Sequence, residues 1–452
     1  MANSRVASQA GSYKLESFKI RPINPLNLTE FAKIGDGVEL SQIITQWSFS
    51  ESMSMANITG SVTVFDAEGV IRTLPIIGEE YITIQWVDFY GDKQTKKFFC
   101  YGVEEVAPAD DVAENILSYR LNFTSIEHLK AHQEDVRQSF ADQLISDMVQ
   151  SVFDTYYYSN DKTIEIEPTV GMQTYAIPSL TPAATMLFLA RKAYGGEDST
   201  NNFRFFETKD KFFFCTPEYL KNKYKDTIKT EKAIEDNNLL FFTNKSYDDN
   251  TPAGQLRAQQ TVSGINYGSP VNTLNEISGG HYKTSMLEID LLNHTVERTT
   301  TEFKKIITNN KIDDIKIPHS DKFLNEQMPI IDEVYALKDY PVQGQKRGVN
   351  RHYPFYREVI NSKKLFNISM SKYSINCTIR GRNPLIPGMV IFLIVDLVEV
   401  GDKKTPDAER NGLYMVTDVT NLFLEDEFTQ LVSLTKGGLS SSNDRSLFRG
   451  MR

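Results

Sequence analysis

The chain has little of what an enzyme, a secreted protein or a nucleic-acid clamp needs. Only three cysteines occur in 452 residues, Cys100, Cys215 and Cys377. Odd in number, far apart and set in apolar or threonine-rich text, they read as reduced, buried thiols of a chain folded in a cytoplasm. No GxGxxG follows a strand, and P-loop, GxSxG and CxxC patterns are absent, which leaves phosphate cradling, acyl transfer and zinc ribbons without support. Positive charge is short too. Lys and Arg total 49 against 59 Asp and Glu, a net charge of −10, the wrong sign for a protein that neutralises phosphates. The longest apolar run, Met389 to Val395, has seven residues, whereas a membrane span needs about 20. The opening MANSRVASQAGSYK lacks the apolar stretch of a signal peptide.

What is there is a long chain of ordinary globular composition, 40% hydrophobic and 24% charged. Single cores stop growing at roughly 250 to 300 residues, so two to four domains are expected. Strand text begins near Ile43. "ITGSVTVFD" puts Ile58, Val62 and Val64 on one face, and "EEYITIQW" alternates Tyr81, Thr83 and Gln85 with Ile82, Ile84 and Trp86. "FFCYGVEEV" and "ILSYRLNF" complete an antiparallel run ending near Phe123.

Helix signals follow. Thr124 and Glu127 have capping-box spacing, and Ser139 with Asp142 repeats it before the stripe Ala141, Leu144, Ile145, Met148, Val149 and Val152. Thr181-Pro182 opens a third helix with the stripe Ala183, Met186, Leu187, Ala190 and Tyr194, stopped by Gly195-Gly196. "FRFFETKDKFFFC" reads as a hairpin, strand text returns from Leu239, "SMLEIDLLNH" is a further strand, and "YPFYREVINSKKLFNISM" reads as a helix after Pro354.

Two stretches about 310 residues apart resemble each other. "PIIGEEYITIQW" lies over "LIPGMVIFLIVD", Gly78 over Gly388, each glycine opening a strand. "YGVEEV" then lies over "YMVTDV", with Tyr101 on Tyr414 and Glu105 on Asp418, and "ILSYRLNF" over "FTQLVSLT". Three matches in one order favour two related barrels over independent strands. The second copy, Met389 to Val395, is apolar on both faces, so a neighbouring domain or subunit is expected to cover its outer side.

Candidate chemistry is thin. His128 and His132 stand at i and i+4 and could face a metal, but the Glu of a zincin helix is missing, so a solvated helix face is favoured. Asp110-Asp111, Asp313-Asp314 and Glu425-Asp426-Glu427 fall in turn-like or charged text and read as solvated loops before they read as an acid/base pair. Tyr156-Tyr157-Tyr158 and Phe212 to Phe214 read as core before stacking platforms. No catalytic, cofactor-binding or metal residue is assigned.

The features "ITGSVTVFDAEGVIRTLPIIGEEYITIQW", "TSIEHL", "YREVINSKKLFNISMSKYSINCTIRGRNPLIPG", "NPLIPGMVIFLIV" and "GLYMVTDVTNLFL", in this order, resemble the central baseplate hub protein of contractile-tailed bacteriophages of the T-even type. The resemblance covers most of the chain and departs from the family in loop 396–412 and in 300–350. It implies an α+β, mainly β fold with two related antiparallel, tail-tube-like β-barrels, an inserted α+β domain and an additional insertion. On that reading a flexible arm spans 1–12, the first barrel 13–124, the α+β domain 125–234 and a discontinuous second barrel 235–275 and 375–437. An inserted region spans 276–374 with a helix near 354–370, and a flexible tail spans 438–452.

The family further implies a non-enzymatic homotrimer that adapts the six-fold tail tube to a trimeric spike. Other baseplate proteins and the tape measure protein are implied partners. Genome DNA passes through the channel without sequence-specific binding, nothing inserts stably in a membrane, and the protein is made in host cytoplasm and resides in the virion tail. Strands 58–65 and 389–395 are expected to pair or pack across chains. Competing readings are the hub of a bacterial contractile injection system, the tail-tip hub of a non-contractile phage and, from another class, an envelope-degrading glycoside hydrolase on a β scaffold.

Overall fold

A computed structural model of the chain describes residues 9–22, 37–73, 76–108, 116–157, 162–196, 199, 201–228, 240–245, 251–268, 283–290, 294–302, 331–337, 373–398, 404–406 and 411–436. In chain order the first strands are β1 (Lys14–Pro22), β2 (Val38–Glu39), β3 (Ile44–Ser52), β4 (Thr59–Asp66), β5 (Glu80–Val87), β6 (Lys93–Pro108) and β7 (Leu117–Ser125), with one helical turn, α1 (Val70–Thr73), before β5. A mixed layer follows. It comprises α2 (Ile126–Gln133), β8 (Ser139–Gln143), α3 (Ile145–Val152) continued by the π-helical turn Phe153–Tyr157, β9 (Ile164–Ile166), β10 (Gln173–Ala176), α4 (Pro182–Lys192), β11 (Arg204–Glu207), β12 (Phe212–Cys215) and α5 (Pro217–Ile228). Then come β13 (Leu240–Thr243), α6 (Pro252–Ala258), β14 (Val262–Tyr267) and a separate sheet of β15 (Lys283–Asp290), β16 (Thr295–Glu302) and β17 (Ile331–Leu337). The last strands are β18 (Tyr373–Arg380), β19 (Val390–Ile394), the short pair β20 (Asp396–Val398) and β21 (Lys404–Pro406), β22 (Gly412–Leu424) and β23 (Glu427–Lys436).

The fold is α+β and mainly β. In β4 and β5 the alternation read in the sequence is the burial pattern: Ile58, Val62 and Val64 point in, as do Ile82, Ile84 and Trp86. The sheet carrying them is rolled. From β3 to β5 the order runs β3-β4-β7-β6-β5, four steps of about 4.8 Å, which in a flat sheet would part the end strands by roughly 19 Å. Yet Trp47 on β3 and Trp86 on β5 meet edge to face with ring centroids 5.3 Å apart. The aromatic core between them includes Phe18, Phe49, Phe98 and Phe123, each such ring contributing about 1.5–3 kcal/mol through burial.

Two sets of strands follow one plan. β1, β3, β4, β5, β6 and β7 are answered in chain order by β13, β14, β18, β19, β22 and β23. Sheet neighbours run β3-β4-β7-β6-β5-β1 in the first set and β14-β18-β23-β22-β19-β13 in the second. Direction differs once: β1 is antiparallel to β5, whereas β13 is parallel to β19. The second core draws Leu240, Phe242 and Val262 together with Ile375, Ile391, Val416 and Leu434, so residues before and after the β15–β17 excursion share one interior. Gly78 and Gly388 both hold φ in the left-handed region, at 95° and 88°, which glycine adopts without the Cβ penalty. Both lie against the long strand of their set, Gly78 beside Tyr101 and Gly102, and Gly388 donating to the Val416 carbonyl.

Several sequence expectations are corrected. The first of two bulges in β6 and the bulge of β22 skip Tyr101 and Thr417, so the repeat holds strand by strand while the Tyr101–Tyr414 match is three residues out of register. Tyr101 is exposed and Tyr414 buried. Helix α2 is capped by Ser125, whose hydroxyl accepts from the His128 amide, because the Thr124 hydroxyl is turned to the Ile58 carbonyl, to which it donates. Ser139 and Asp142 lie in β8, paired with β10; Asp142 takes a positive φ near the strand's end, and α3 starts only at Ile145. The face formed by Ile145, Met148, Val149 and Val152 is buried as expected, while Ala141 is exposed. Helix α4 starts at Thr181-Pro182 but buries Thr185 and Leu189 in place of Ala183 and Leu187, a rotation of its inner face. The helix near 354–370, Asp110-Asp111, Asp313-Asp314, the tail 438–452 and residues 1–8 of the arm lie outside the described residues.

Candidate functional site: the seam between the two strand sets

One sheet runs through both sets because β22 is long enough to serve two partners. Its first part, Gly412 to Met415, pairs with β19, and its second part, Asp418 to Leu424, pairs with Gln46 to Ser52 of β3. Hydroxyls stitch the two strands on one face: Ser50 and Thr420 lie 2.9 Å apart, and Ser52 donates to the Asp418 carboxylate. On the other face Phe423 leaves its own set and stacks on Trp47 with ring centroids 3.7 Å apart and planes 2° from parallel. Phe428 stacks on Phe423 at 4.1 Å, so the tip of the β22–β23 hairpin completes the first core. The segment before β1 holds that tip. Tyr13 donates its amide to the Asp426 carbonyl, and Gly11 accepts from the Phe428 amide.

Buried polar residues tie the mixed layer to this seam. Glu51 of β3 accepts from the Lys209 amide at 2.5 Å and from Asn421 Nδ2 at 3.2 Å. Asn421 Oδ1 accepts from Gln430 at 2.7 Å, and the Lys209 ammonium donates to the Leu385 carbonyl at 3.1 Å. Glu207 of β11 accepts from the Ile58 amide at 3.0 Å, from Ser125 Oγ at 2.7 Å and from Lys162 Nζ at 2.6 Å. Asn383, next to the second set's turn, accepts from Trp86 Nε1 at 2.9 Å. Burial pushes the Glu51 carboxyl above the ordinary glutamate range, with the Lys209 charge pulling against it. Burial works to lower Lys162, but the carboxylates of Glu207 and Glu127 outweigh it and the ammonium is held above its usual value. Glu51 and Glu207 are both enclosed and accept from fixed structural donors, so they act as clamps between layers. A buried ion pair left with one member costs far more than the intact pair contributes.

The other sequence candidates disperse. His128 and His132 are neighbours on α2, their rings 4.3 Å apart. Burial first, and the charge of His132 second, lower His128 to about 4. Among the described residues no group of three or more His, Cys, Asp or Glu could hold a metal ion. Glu425, Asp426 and Glu427 form the exposed β22–β23 turn. Tyr157 and Phe212 to Phe214 are buried. All three cysteines are buried and free, and burial raises Cys100 and Cys377 to about 12. Sequence reading missed Glu51 and Glu207, although the signal was present. Each is a lone carboxylate on an inward position, Glu51 after Trp47 and Phe49, and Glu207 after Phe205. Among the described residues no helix is long and apolar enough to cross a membrane.

No protein-family model matches this sequence, and no curated protein matches it. Solved structures do. A tail protein from Neisseria meningitidis MC58 superposes with a TM-score of 0.50 at 7% identity, covering 94% of this chain and 97% of its own. The tail protein of prophage MuSo2 from Shewanella oneidensis gives 0.50 at 10% identity, covering 93% and 99%. The chain has the fold of phage tail proteins. Such low identities carry fold alone, and the near-complete coverage extends this tail-protein fold over both strand sets and the layer between them.

Proposed function

We propose that the protein is a non-enzymatic structural hub of a phage tail baseplate, assembled as a homotrimer. The observation that carries the reading is the duplicated strand plan joined edge to edge inside one chain. Three chains with two such units each present six similar units on a three-fold body, which is how a trimer can meet a six-fold partner. The ring would face the hexameric tail tube, the opposite face would hold a trimeric spike, and other baseplate proteins and the tape measure protein would pack around it. In this reading the tube-like units are 13–124 and 235–275 with 375–437, and the layer 125–234 braces them. The net charge of −10 suits a channel through which DNA slides without adhering, since like charge keeps phosphates from binding. The protein would be assembled in the host cytoplasm and reside in the virion tail. Light scattering at micromolar concentration tests the reading: a trimer of the 51.4 kDa chain is expected, and a stable, well-dispersed monomer would contradict it.

A further inference from the structure

The expected cross-chain strands, 58–65 and 389–395, are not edges. β4 lies between β3 and β7, and β19 lies between β13 and β22, so both sides of each are taken within the chain. The strand plan points to different edges. In the second set the outer part of β22 turns away from β19 and takes β3 as its partner. In the first set β6 behaves in the same way at its start: Lys93 to Cys100 pair with β5, and the strand then runs on beyond β5 to Pro108, held on one side by β7. Among the described residues no strand occupies the other side of 103–108. The counterpart of β3 is β14, whose one strand neighbour among the described residues is β18, apart from the bridge at Thr261. Among the described residues, therefore, one β6-like edge is matched to a β3-like edge, and one edge of each kind is left over.

The surfaces agree with this count. The tip of the second hairpin carries Phe423 and Phe428, both buried in the other set's core. The corresponding end of the first hairpin carries Val106, Ala107 and Pro108, all exposed, Val106 at 54%. On β14, Ser263 and Asn266 are exposed and Ile265 half-buried. An apolar strand end and a long edge in the open are what a β-pairing partner covers.

We infer that the outer half of β6 in one copy pairs antiparallel with β14 of a second copy of this chain, repeating between chains the seam that β22 and β3 form within one. Such a contact is head to tail: the two patches differ, so it propagates in one direction and closes into a ring when the rotation per unit fits a whole number of turns. The inference rests on the trimeric-hub reading for the number of copies, three, at which the ring closes. Counting both bulges of β6, after Cys100 and after Glu104, and carrying over the register of β22 on β3 sets Ala107 opposite Asn266 and Pro108 opposite Ile265. Antiparallel partners have Cα atoms about 4.5–5.5 Å apart, within reach of a disulfide.

The test introduces cysteine pairs into the full chain, A107C with N266C and P108C with I265C, plus each single variant. The native cysteines are buried, and circular dichroism checks that each variant folds as wild type does. After mild oxidation, non-reducing gels should show covalent dimers and trimers for at least one pair, at ten-fold or greater yield over the single variants, and reducing agent should collapse them. Native mass spectrometry of the same samples separates the two ideas. A trimer in which neither pair crosslinks, or in which crosslinks stay within one chain, overturns the pairing while the hub reading stands. A monomer under all conditions overturns both.

Discussion

β5 and β19 occupy the same place in the two strand sets and meet different surroundings. In β5 the residues Tyr81, Thr83 and Gln85 are partly open to water, while Ile82, Ile84 and Trp86 fill the core. In β19 every residue from Val390 to Ile394 is buried. Ile391 and Leu393 face the second core, while Phe392 stacks against Phe241 at 6.4 Å. At its start, Gly388 and Met415 press on Leu220 and Phe206 of the mixed layer. The long strands differ in the opposite sense, with β22 covered along its whole length by chain partners and the end of β6 exposed. One plan thus appears in two degrees of completion at its long strand: β22 is finished by its own chain, and β6 retains an edge.

The largest effects should come from breaking this difference in covering. Phe392→Lys and Ile391→Lys each place an unpaired charge in a closed interior and should cost at least about 4 kcal/mol, enough to abolish soluble folded protein. Gln85→Lys on the half-open face of β5 should change stability by no more than about 0.5 kcal/mol. Urea midpoints with circular dichroism compare them, and tolerance of Phe392→Lys would mean that the outer face of β19 is open.

Next in size are the seam residues. Phe423→Ala removes a ring that belongs to one set and packs in the other, and should cost about 3–5 kcal/mol. Lys162→Ala leaves Glu207 buried without its cation and should cost a similar amount, about 3–5 kcal/mol. Replacing Lys162 and Glu207 together with apolar residues of like size should recover most of that loss. A double variant no better than Lys162→Ala would show that the pair is not the clamp described.

Gly78→Ala and Gly388→Ala sharpen the comparison of the two turns. Both force a side chain into left-handed backbone, at about 1–2 kcal/mol. At Gly78 the new Cβ would also come within 3.0 Å of the Tyr101 backbone, while at Gly388 it meets the flexible end of Leu220 at 2.8 Å. The first position should therefore be the costlier, by thermal unfolding of the two variants, and the reverse order would argue against equivalent turns.

Much of this was readable in the sequence because period-two alternation reports burial directly, as in Ile82, Ile84 and Trp86. Three kinds of feature were not. The register of the repeat slips at the bulges of β6 and β22, and a bulge leaves no residue-type signature at Tyr101 or Thr417. Helix α3 starts late because Phe140 is recruited to the core as a strand residue paired with Tyr175, a tertiary preference that outweighs the Ser139 cap signal. The clamp of Glu51, Lys209 and Asn421 joins positions 158 and 370 residues apart in sequence, and spacing along the chain says nothing about such meetings.

The smallest expected effect concerns the layer that follows the first unit. His128 falls from the ordinary 6.5 to about 4, through burial and then through His132. A depressed histidine favours the neutral form in the folded state, so its contribution is present above pH 6.5 and is lost as pH falls through about 4. His128→Leu should flatten the pH dependence of the urea midpoint across that window, and an unchanged slope would assign the acid sensitivity elsewhere.

The central claim is that three copies, each with two units of one plan, close into a ring. Electron cryomicroscopy of the purified protein viewed down its axis tests it most directly. The account predicts a three-fold particle whose inner wall shows six similar sheet densities around a bore, with sheet continuing from β6 of one chain to the adjacent β14 of the next. A particle with another symmetry, or a trimer in which those two edges stand apart, would contradict it.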